Sequence, residues 1–332
     1  MRISTIIPAY NRADLIGETL RTILSQSRPP HEVIVVDDGS TDGTQDAVTA
    51  FGKDVTLICQ ANAGAGPARN AGFARSSGNI IHFMDSDDLC SLNFYEAAAK
   101  RIEAGADMTY GPWLKTRIEG NRLDPEPVVH QQGPVPPGTP IDVLALLVDW
   151  VTVFQPCMFR RDLIERAGPY RHDLRSGQDT EVLYRIMAAA RHVQHMPETL
   201  ILNRWHPEDQ LSEQDLSKRL VYRAHLWSIM QKHLDKRTDL KWTEKRTFRI
   251  KKYHVATEAM PYDPAEAKAL MSDVRFADRL SSALRRLLHR IRMRIQVMMT
   301  GNPYPATLAA APILDDQRKL IRQLGYALGS TK

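Results

Sequence analysis

Cysteine is scarce in this chain: three residues in 332, Cys59, Cys90 and Cys157. The number is odd and no pair stands at CxxC or other metal-ligand spacing. That argues against a disulfide framework or a zinc site and for reduced, buried thiols. Long apolar runs are also missing. Nowhere do 18 consecutive apolar residues occur, so no transmembrane helix is expected. The opening "MRISTIIPAYNRADL" carries an apolar stretch that breaks at Pro8 and Asn11, and it does not read as a signal peptide. There is no internal repeat and no low-complexity tract, which leaves an ordinary globular chain.

What is present fits that class: 43% hydrophobic and 25% charged residues, with length for one large domain plus an appendage, or for two domains. The net charge of +5 conceals a split. Residues 1–210 hold 20 Lys and Arg against 27 Asp and Glu, a net of −7; residues 211–332 hold 24 against 12, a net of +12. Two surfaces with different partners are the expectation.

The first hundred residues alternate between two patterns. "RISTIIP", "EVIVVDD", "DVTLICQ" and "NIIHFMD" read as strands, and the continuous apolar core of "EVIVVDD" suits a parallel sheet buried on both faces. Helical spacing over 12–26, Thr44–Phe51, "GPARNAGFARS" and 92–104 falls between and after them. "DMTYGPW" reads as a fifth strand. Such alternation predicts an α/β sheet, with ligands at the carboxyl ends of its strands. The Pro- and Gly-rich stretch 119–140 predicts an irregular connection. Residues 141–150 and 178–191 look helical, 151–160 extended, and helical spacing dominates beyond Asp215. A boundary near residue 210 follows.

Three polar clusters fall just after strands: Pro8-Ala9-Tyr10-Asn11, Asp37-Asp38-Gly39-Ser40 and Asp85-Ser86-Asp87-Asp88. Each alone reads as a turn. Together at strand ends they read as a site. Carboxylates as close as Asp85, Asp87 and Asp88 repel one another unless a cation lies between them. A hard divalent ion, Mg²⁺ or Mn²⁺, bridging them to phosphate oxygens suits that cluster. "NAGAGPARNAG" imitates a dinucleotide fingerprint, but it follows the third strand and has Arg69 where that pattern needs glycine. Arg69, in the first turn of a helix, is a candidate contact for phosphate or base. Asp179 opens a helix, where it is either a first-turn acid favoured by the helix dipole or a general base. His206 is a candidate metal ligand or phosphate contact, against the plainer reading of a loop histidine.

Taken together, "STIIPAYNRADLIGETLRTILSQSRPPHEVIVVDDGSTDGT", "NAGAGPARNAG", "MDSDD" and "GQDTEVLYR" resemble the family 2 glycosyltransferases over roughly residues 1–210. The resemblance implies a GT-A fold: a nucleotide-binding, mostly parallel sheet flanked by helices, here with a helical C-terminal extension. It divides the chain into a domain over 1–210, with a nucleotide-sugar half (1–110) and an acceptor half (111–210), and a basic helical region over 211–332. It implies an inverting transferase acting on a UDP-sugar and an acceptor hydroxyl, in bacterial surface polysaccharide or lipid-linked glycan assembly.

By that resemblance Pro8, Ala9, Tyr10 and Asn11 line the nucleoside pocket. Asp38 receives the uracil ring N–H beside Asp37, and Arg69 contacts base or diphosphate. Asp85, Asp87 and Asp88 look like the DXD region, touching ribose and metal, and Ser86 joins Asp85 and Asp87 among the nucleotide-sugar contacts. Asp87, Asp88 and His206 are the metal candidates, with Asp87 and Asp88 both open as the main ligand, and Asp179 is the catalytic base. The family often has Glu where Gln178 stands. The Arg204–His206 loop resembles one that closes over the diphosphate.

Residues 278–299, "DRLSSALRRLLHRIRMRIQVMM", place Leu280, Leu284, Leu287, Leu288, Ile291, Ile295 and Met298 on one apolar helical face, with six arginines between Asp278 and Gln296. A basic amphipathic helix fits an anionic membrane surface, or else an apolar face packed on the domain or a second copy as a homodimer. The charges are not interleaved with aromatics, which argues against nucleic acid. A cytoplasmic enzyme is the expectation, peripheral at the inner face of the membrane under the first of those two readings of the helix. Two rivals stand beside it. A sugar nucleotidyltransferase wants a Gly-rich phosphate loop after strand one, where "PAYN" stands. A non-enzymatic nucleotide-sugar-binding scaffold would lack the DXD region or Asp179.

Overall fold

The computed structural model describes residues 1–120, 122–125, 129–130, 153–174, 177–205, 216–236, 238, 242–272, 274–275, 278–279, 310–311 and 315–328. The helix expected at 141–150, His206, and all but the start of 278–299 lie outside them. No helix among the described residues is long and apolar enough to cross a membrane.

β1 (Ile3–Ala9) is buried along its whole length, which fits the middle of a sheet covered on both faces. It pairs in parallel with β2 (Glu32–Asp37) and β4 (Ile80–Phe83), and β2 pairs in parallel with β3 (Thr56–Cys59). Helices α1 (Ala13–Leu24), α2 (Thr44–Thr49) and α3 (Ala65–Arg75) make the crossovers. On α1, Ile16, Leu20 and Ile23 are buried one turn apart, and they join Ile3, Ile7, Val33 and Val35 in one apolar cluster.

Beyond β4 the order changes. β10 (Cys157–Arg160) runs antiparallel between β4 and β6 (Met108–Tyr110), and β11 (Val193–His195) closes that edge. The full order is β11-β6-β10-β4-β1-β2-β3. Because β10 is antiparallel, its N-terminal approach, which carries Gln155, reaches the edge where β1, β2 and β4 end.

The pattern expected for residues 1–110 agrees with these elements to within a few residues. The fifth strand is shorter than "DMTYGPW": it stops at Tyr110, and Trp113 begins β7 (Trp113–Glu119) of a second sheet. That sheet runs β13-β9-β7-β12-β5, with β5 at Leu89–Cys90, β9 at Val129–His130, β12 at Ile201–Arg204 and β13 at Ala310–Ala311. β8 (Arg122–Pro125) pairs with β7 and with β14 (Ala327–Leu328). The irregular connection expected at 119–140 is therefore wrong where β8 and β9 lie. Pro and Gly mark turns, but β8 pairs with β7 across a short hairpin, and β8 and β9 also find partners distant in sequence in β14 and β13.

α4 (Phe94–Glu103) covers the first sheet, and α5 (Arg161–Ala167) leads on to α6 (Gln178–Ala189). The helical region expected beyond Asp215 appears as α7 (Leu216–Asp235), α8 (Trp242–Ala259) and α9 (Pro264–Met271). Their core includes Trp227 stacked on Phe248 at 4.8 Å, and it takes in Leu174 and Tyr184 from around α6. α10 (Asp315–Gln323) returns to the second sheet, where buried Ile321 packs with Leu89, Leu114 and Leu202.

Candidate active site

The ends of β1 and β2 are stitched together. Asp38 N–H donates to the Ala9 carbonyl at 2.8 Å, Asn11 N–H to Ser40 Oγ at 2.9 Å and Thr41 N–H to Asn11 Oδ1 at 2.9 Å. Asn11 takes a positive φ of 50°, a conformation that asparagine tolerates. Pro8 and Ala9 are buried, and Tyr10 is exposed at the rim. Asp38 is buried. Its Oδ1 accepts from Gln60 Nε2 at 2.7 Å and Ala63 N–H at 2.9 Å, and its Oδ2 from Gly64 N–H at 2.7 Å. Asp37 Oδ2 accepts from Gln45 Nε2 at 2.7 Å, while its Oδ1 is buried without a hydrogen-bond partner.

The acidic corner follows β4. One oxygen from each of Asp85, Asp87 and Asp88 falls within 4.8 Å of the others. Asp85 Oδ1 accepts from Arg69 Nη2 at 2.6 Å, and its Oδ2 accepts from Gln155 Nε2. Asp87 Oδ2 accepts from Arg12 Nε at 3.2 Å. Asp88 is 1% exposed and holds the end of β12, accepting from Arg204 N–H and Asn203 Nδ2, both at 2.9 Å. Burial, then the charges of Asp87 and Asp85, push its carboxyl well above the usual carboxylate range. Ser86 is turned inward, its carbonyl accepting from Thr19 Oγ1 at 3.0 Å.

Arg204 does not face the edge. Its guanidinium runs into the fold, donating to the Asp87 carbonyl, to Glu18 Oε2 at 2.5 Å and to the Leu15 carbonyl at 3.2 Å. Glu18 Oε2 also accepts from the Tyr326 hydroxyl at 3.2 Å. The turn that leads into β14 is thus joined to the acidic corner.

Arg69 is 4% exposed and lies between two acids, Asp85 and Asp179, the latter 3.2 Å from Nη1. Burial lowers its pKa, but the charges of Asp179 and Asp85 outweigh burial and the guanidinium stays protonated. The Asp179 side chain is 44% exposed, yet Oδ1 is turned inward and makes no hydrogen bond. Desolvation of that inner oxygen raises the carboxyl's pKa, Arg69 opposes the rise and Asp85 adds to it; the net direction is upward. The Tyr170 ring lies under the Arg69 guanidinium at 5.4 Å.

Glycine brings α6 to this point. Gly66 N–H donates to Gln178 Oε1 at 3.0 Å, and a Cβ at Gly66 would come within 2.7 Å of that oxygen. "GAG" therefore serves close approach between α3 and α6. Gly177 enters α6 with φ of 75°. Below Asp85, His82 is buried and its pKa is lowered to about 4, chiefly by burial. Being neutral, it donates from Nε2 to the Gln155 carbonyl at 2.8 Å and accepts the Tyr95 hydroxyl at Nδ1 at 3.0 Å. The Gln155 amide is fixed under Asp85 by this chain.

Pro8 to Asn11, Asp37, Asp38, Arg69, Asp85, Asp87, Asp88 and Asp179 thus meet along one sheet edge, while His206 lies outside the described residues. Sequence reading missed Arg12, Gln60, Gln155, Tyr170 and Asn203. Arg12 adjoins a motif and was within reach. Gln155 and Asn203 reach the corner only through β10 and β12 pairing and leave no local signal.

Residues 4–168 match the model of glycosyl transferase family 2. The chain is 42% identical over 90 residues to a putative teichuronic acid biosynthesis glycosyltransferase, TuaG, of Bacillus subtilis, covering 26% of this chain and 36% of that protein. With glycosyltransferase AglE of Haloferax volcanii it shares 31% over 188 residues, 53% of this chain and 58% of that one. The chain thus spans about a third of TuaG's length, and 29% of that of an uncharacterized glycosyltransferase of Nostoc at 40% identity. Among solved structures, S. aureus TarS 1-349 in complex with UDP-GlcNAc aligns with a TM-score of 0.56 at 17% identity, over 98% of this chain and 93% of that one. The mannosyltransferase PcManGT from Pyrobaculum calidifontis, in complex with GDP-Man and Mn²⁺, gives 0.53 at 18%, over 98% and 86%. These likenesses establish the GT-A fold.

Proposed function

We propose that this chain, which belongs to glycosyltransferase family 2, transfers a hexosyl or N-acetylhexosaminyl group from a UDP-sugar to an acceptor hydroxyl, with inversion. The observation that carries this is Asp179: one part-exposed carboxylate, held by Arg69 across from Asp85. The nucleoside sits at Pro8–Asn11 and Asp37–Asp38, and the diphosphate at the acidic corner.

The corner fits a divalent metal, Mn²⁺ or Mg²⁺. Three carboxylates gather there, with one oxygen of each within 4.8 Å of the others, and a cation between them relieves their mutual repulsion. Asp87 is the better ligand, because Asp88 is 1% exposed and both its oxygens bind β12. Asp85 adds a third carboxylate at the same corner. A cation bound there supplies positive charge to the departing diphosphate.

Asp179 takes the acceptor hydroxyl's proton at the oxygen turned away from Arg69. The acceptor oxygen bonds to the anomeric carbon as the bond from that carbon to the diphosphate breaks, and the electron pair leaves with the diphosphate. Arg69, itself buried, places fixed positive charge beside that change. A single displacement with one base inverts the centre, and no second carboxylate nucleophile is required.

The acceptor in this reading is a glycan or lipid-linked glycan of a bacterial surface polysaccharide, met at the cytoplasmic face of the membrane. The name of TuaG and the +12 charge of residues 211–332 support it. Residues 278–299 are the element proposed to touch anionic lipid or to pack between two copies. The test is UDP release from a panel of UDP-sugars, with and without Mn²⁺. Release that needs metal and disappears in Asp179→Asn, while that variant still binds UDP, is expected. A wild type that binds UDP but is inert towards every donor and acceptor would sink the reading.

A further inference from the structure

We infer that Gln60 is a specificity-determining residue, confining the nucleoside corner to a base that offers a single N–H. The inference rests on the donor reading above. An ionised carboxylate has about four lone-pair positions. At Asp38 three are filled. Gln60 Nε2 and Ala63 N–H occupy both positions on Oδ1, and Gly64 N–H occupies one on Oδ2. One vacancy remains, on Oδ2. Asp37 offers no second seat, since Oδ2 holds Ser40 N–H and Gln45 while Oδ1 is sealed from solvent.

Base chemistry follows from this count. Uracil presents one ring N–H between two carbonyls and needs one vacancy. Guanine presents a ring N–H and an amino group side by side, a pair that seeks both carboxylate oxygens. Cytosine offers an amino N–H of its own, but in the seat that the uracil ring N–H takes it presents an unprotonated ring nitrogen, which a carboxylate repels. Two of the three protein donors are backbone groups fixed by the loop. Gln60 is the one that substitution removes. It stands just past β3, with its own N–H donating to the Asp37 carbonyl at 2.9 Å, and its side chain is part-buried. Replacing it leaves the core closed.

The experiment is calorimetric titration of the full chain with UDP, GDP and CDP in Mn²⁺, comparing wild type with Gln60→Leu. Wild type should bind UDP at least about tenfold tighter than GDP or CDP, the scale of one charge-assisted hydrogen bond. In Gln60→Leu, GDP affinity should rise in absolute terms and the UDP preference over GDP should fall by about tenfold. CDP should stay weak. Gln60→Asn, whose amide stops one methylene short of Asp38, should follow Gln60→Leu, and it decides the matter if the leucine variant does not fold. A uniform loss for all three nucleotides, or an unchanged ratio, marks a merely structural residue and overturns the inference. Equal UDP and GDP binding by wild type overturns it while leaving the donor reading intact. A wild type that binds none of the three removes the donor reading and the inference with it.

Discussion

The two corners of the site use one side-chain type and settle its charge in different ways. At the nucleoside corner Asp38 is held by three neutral donors from residues 60–64, two of them backbone N–H groups. At the reaction corner Asp85, Asp87 and Asp179 face Arg12 and Arg69, and the fixed partners of Asp85 and Asp88 come from β10 and β12, some 70 to 116 residues away. In the proposed reading, local dipoles are enough for a carboxylate that reads a base. In the same reading, full charges from Arg12 and Arg69 suit the carboxylates of the other corner to a metal and a proton.

The sharpest way to break this contrast is at Asp179. Asp179→Asn should slow transfer by about 10²–10⁴-fold, the range for losing a general base, with UDP affinity unchanged. Its pH profile carries a sign. The base works when ionised and its pKa is raised, so activity should fall as pH drops through a value above the ordinary carboxylate range. An acid limb at the unperturbed value would show that burial and Asp85 do not govern it.

Arg69→Met comes next. It leaves two carboxylates facing each other without their buried cation, and urea denaturation should show a loss of about 2–3 kcal/mol, below that of a fully buried pair because both acids reach water. The loss should shrink as pH falls, because the freed acids bind protons more tightly in the folded state than in the unfolded chain. A neutral result would mean that the pair is solvated.

Gly66→Ala should cost about 1–3 kcal/mol by pressing a methyl group on Gln178. It should also reduce transfer more than UDP binding, since α6 moves and the nucleoside corner does not. Equal losses in both would dissolve the distinction between the corners. The smallest effect belongs to Tyr326→Phe, which removes one hydrogen bond to Glu18 and should lower stability by about 1 kcal/mol in thermal unfolding. The accompanying change should be in metal dependence rather than in UDP affinity, because Glu18 leads through Arg204 to Asp87.

Much of the nucleoside corner was legible in the chain. Its strands are continuous apolar runs, and its polar residues stand directly after them, so pattern and position coincide. The second sheet was not legible. β5, β9, β13 and β14 are two residues each, too short for any period to register, and β8 and β9 sit in a Pro-rich stretch that reads as loop. Arg204 shows the same gap from another side. Its motif resemblance pointed to the diphosphate, whereas burial at 2% exposure ties it to Glu18 and the Asp87 carbonyl.

The sequence alone determined the parallel core, the strand-end placement of Asp38 and Asp85 and the helix that begins beside Asp179, because each depends on neighbours within a few residues. Tertiary structure alone decided which group neutralises which acid. Arg69 stands 110 residues from Asp179 and Gln155 stands 70 from Asp85, and the electrostatic energy of such pairs depends on distance through space and on the water excluded around them, neither of which is written along the chain.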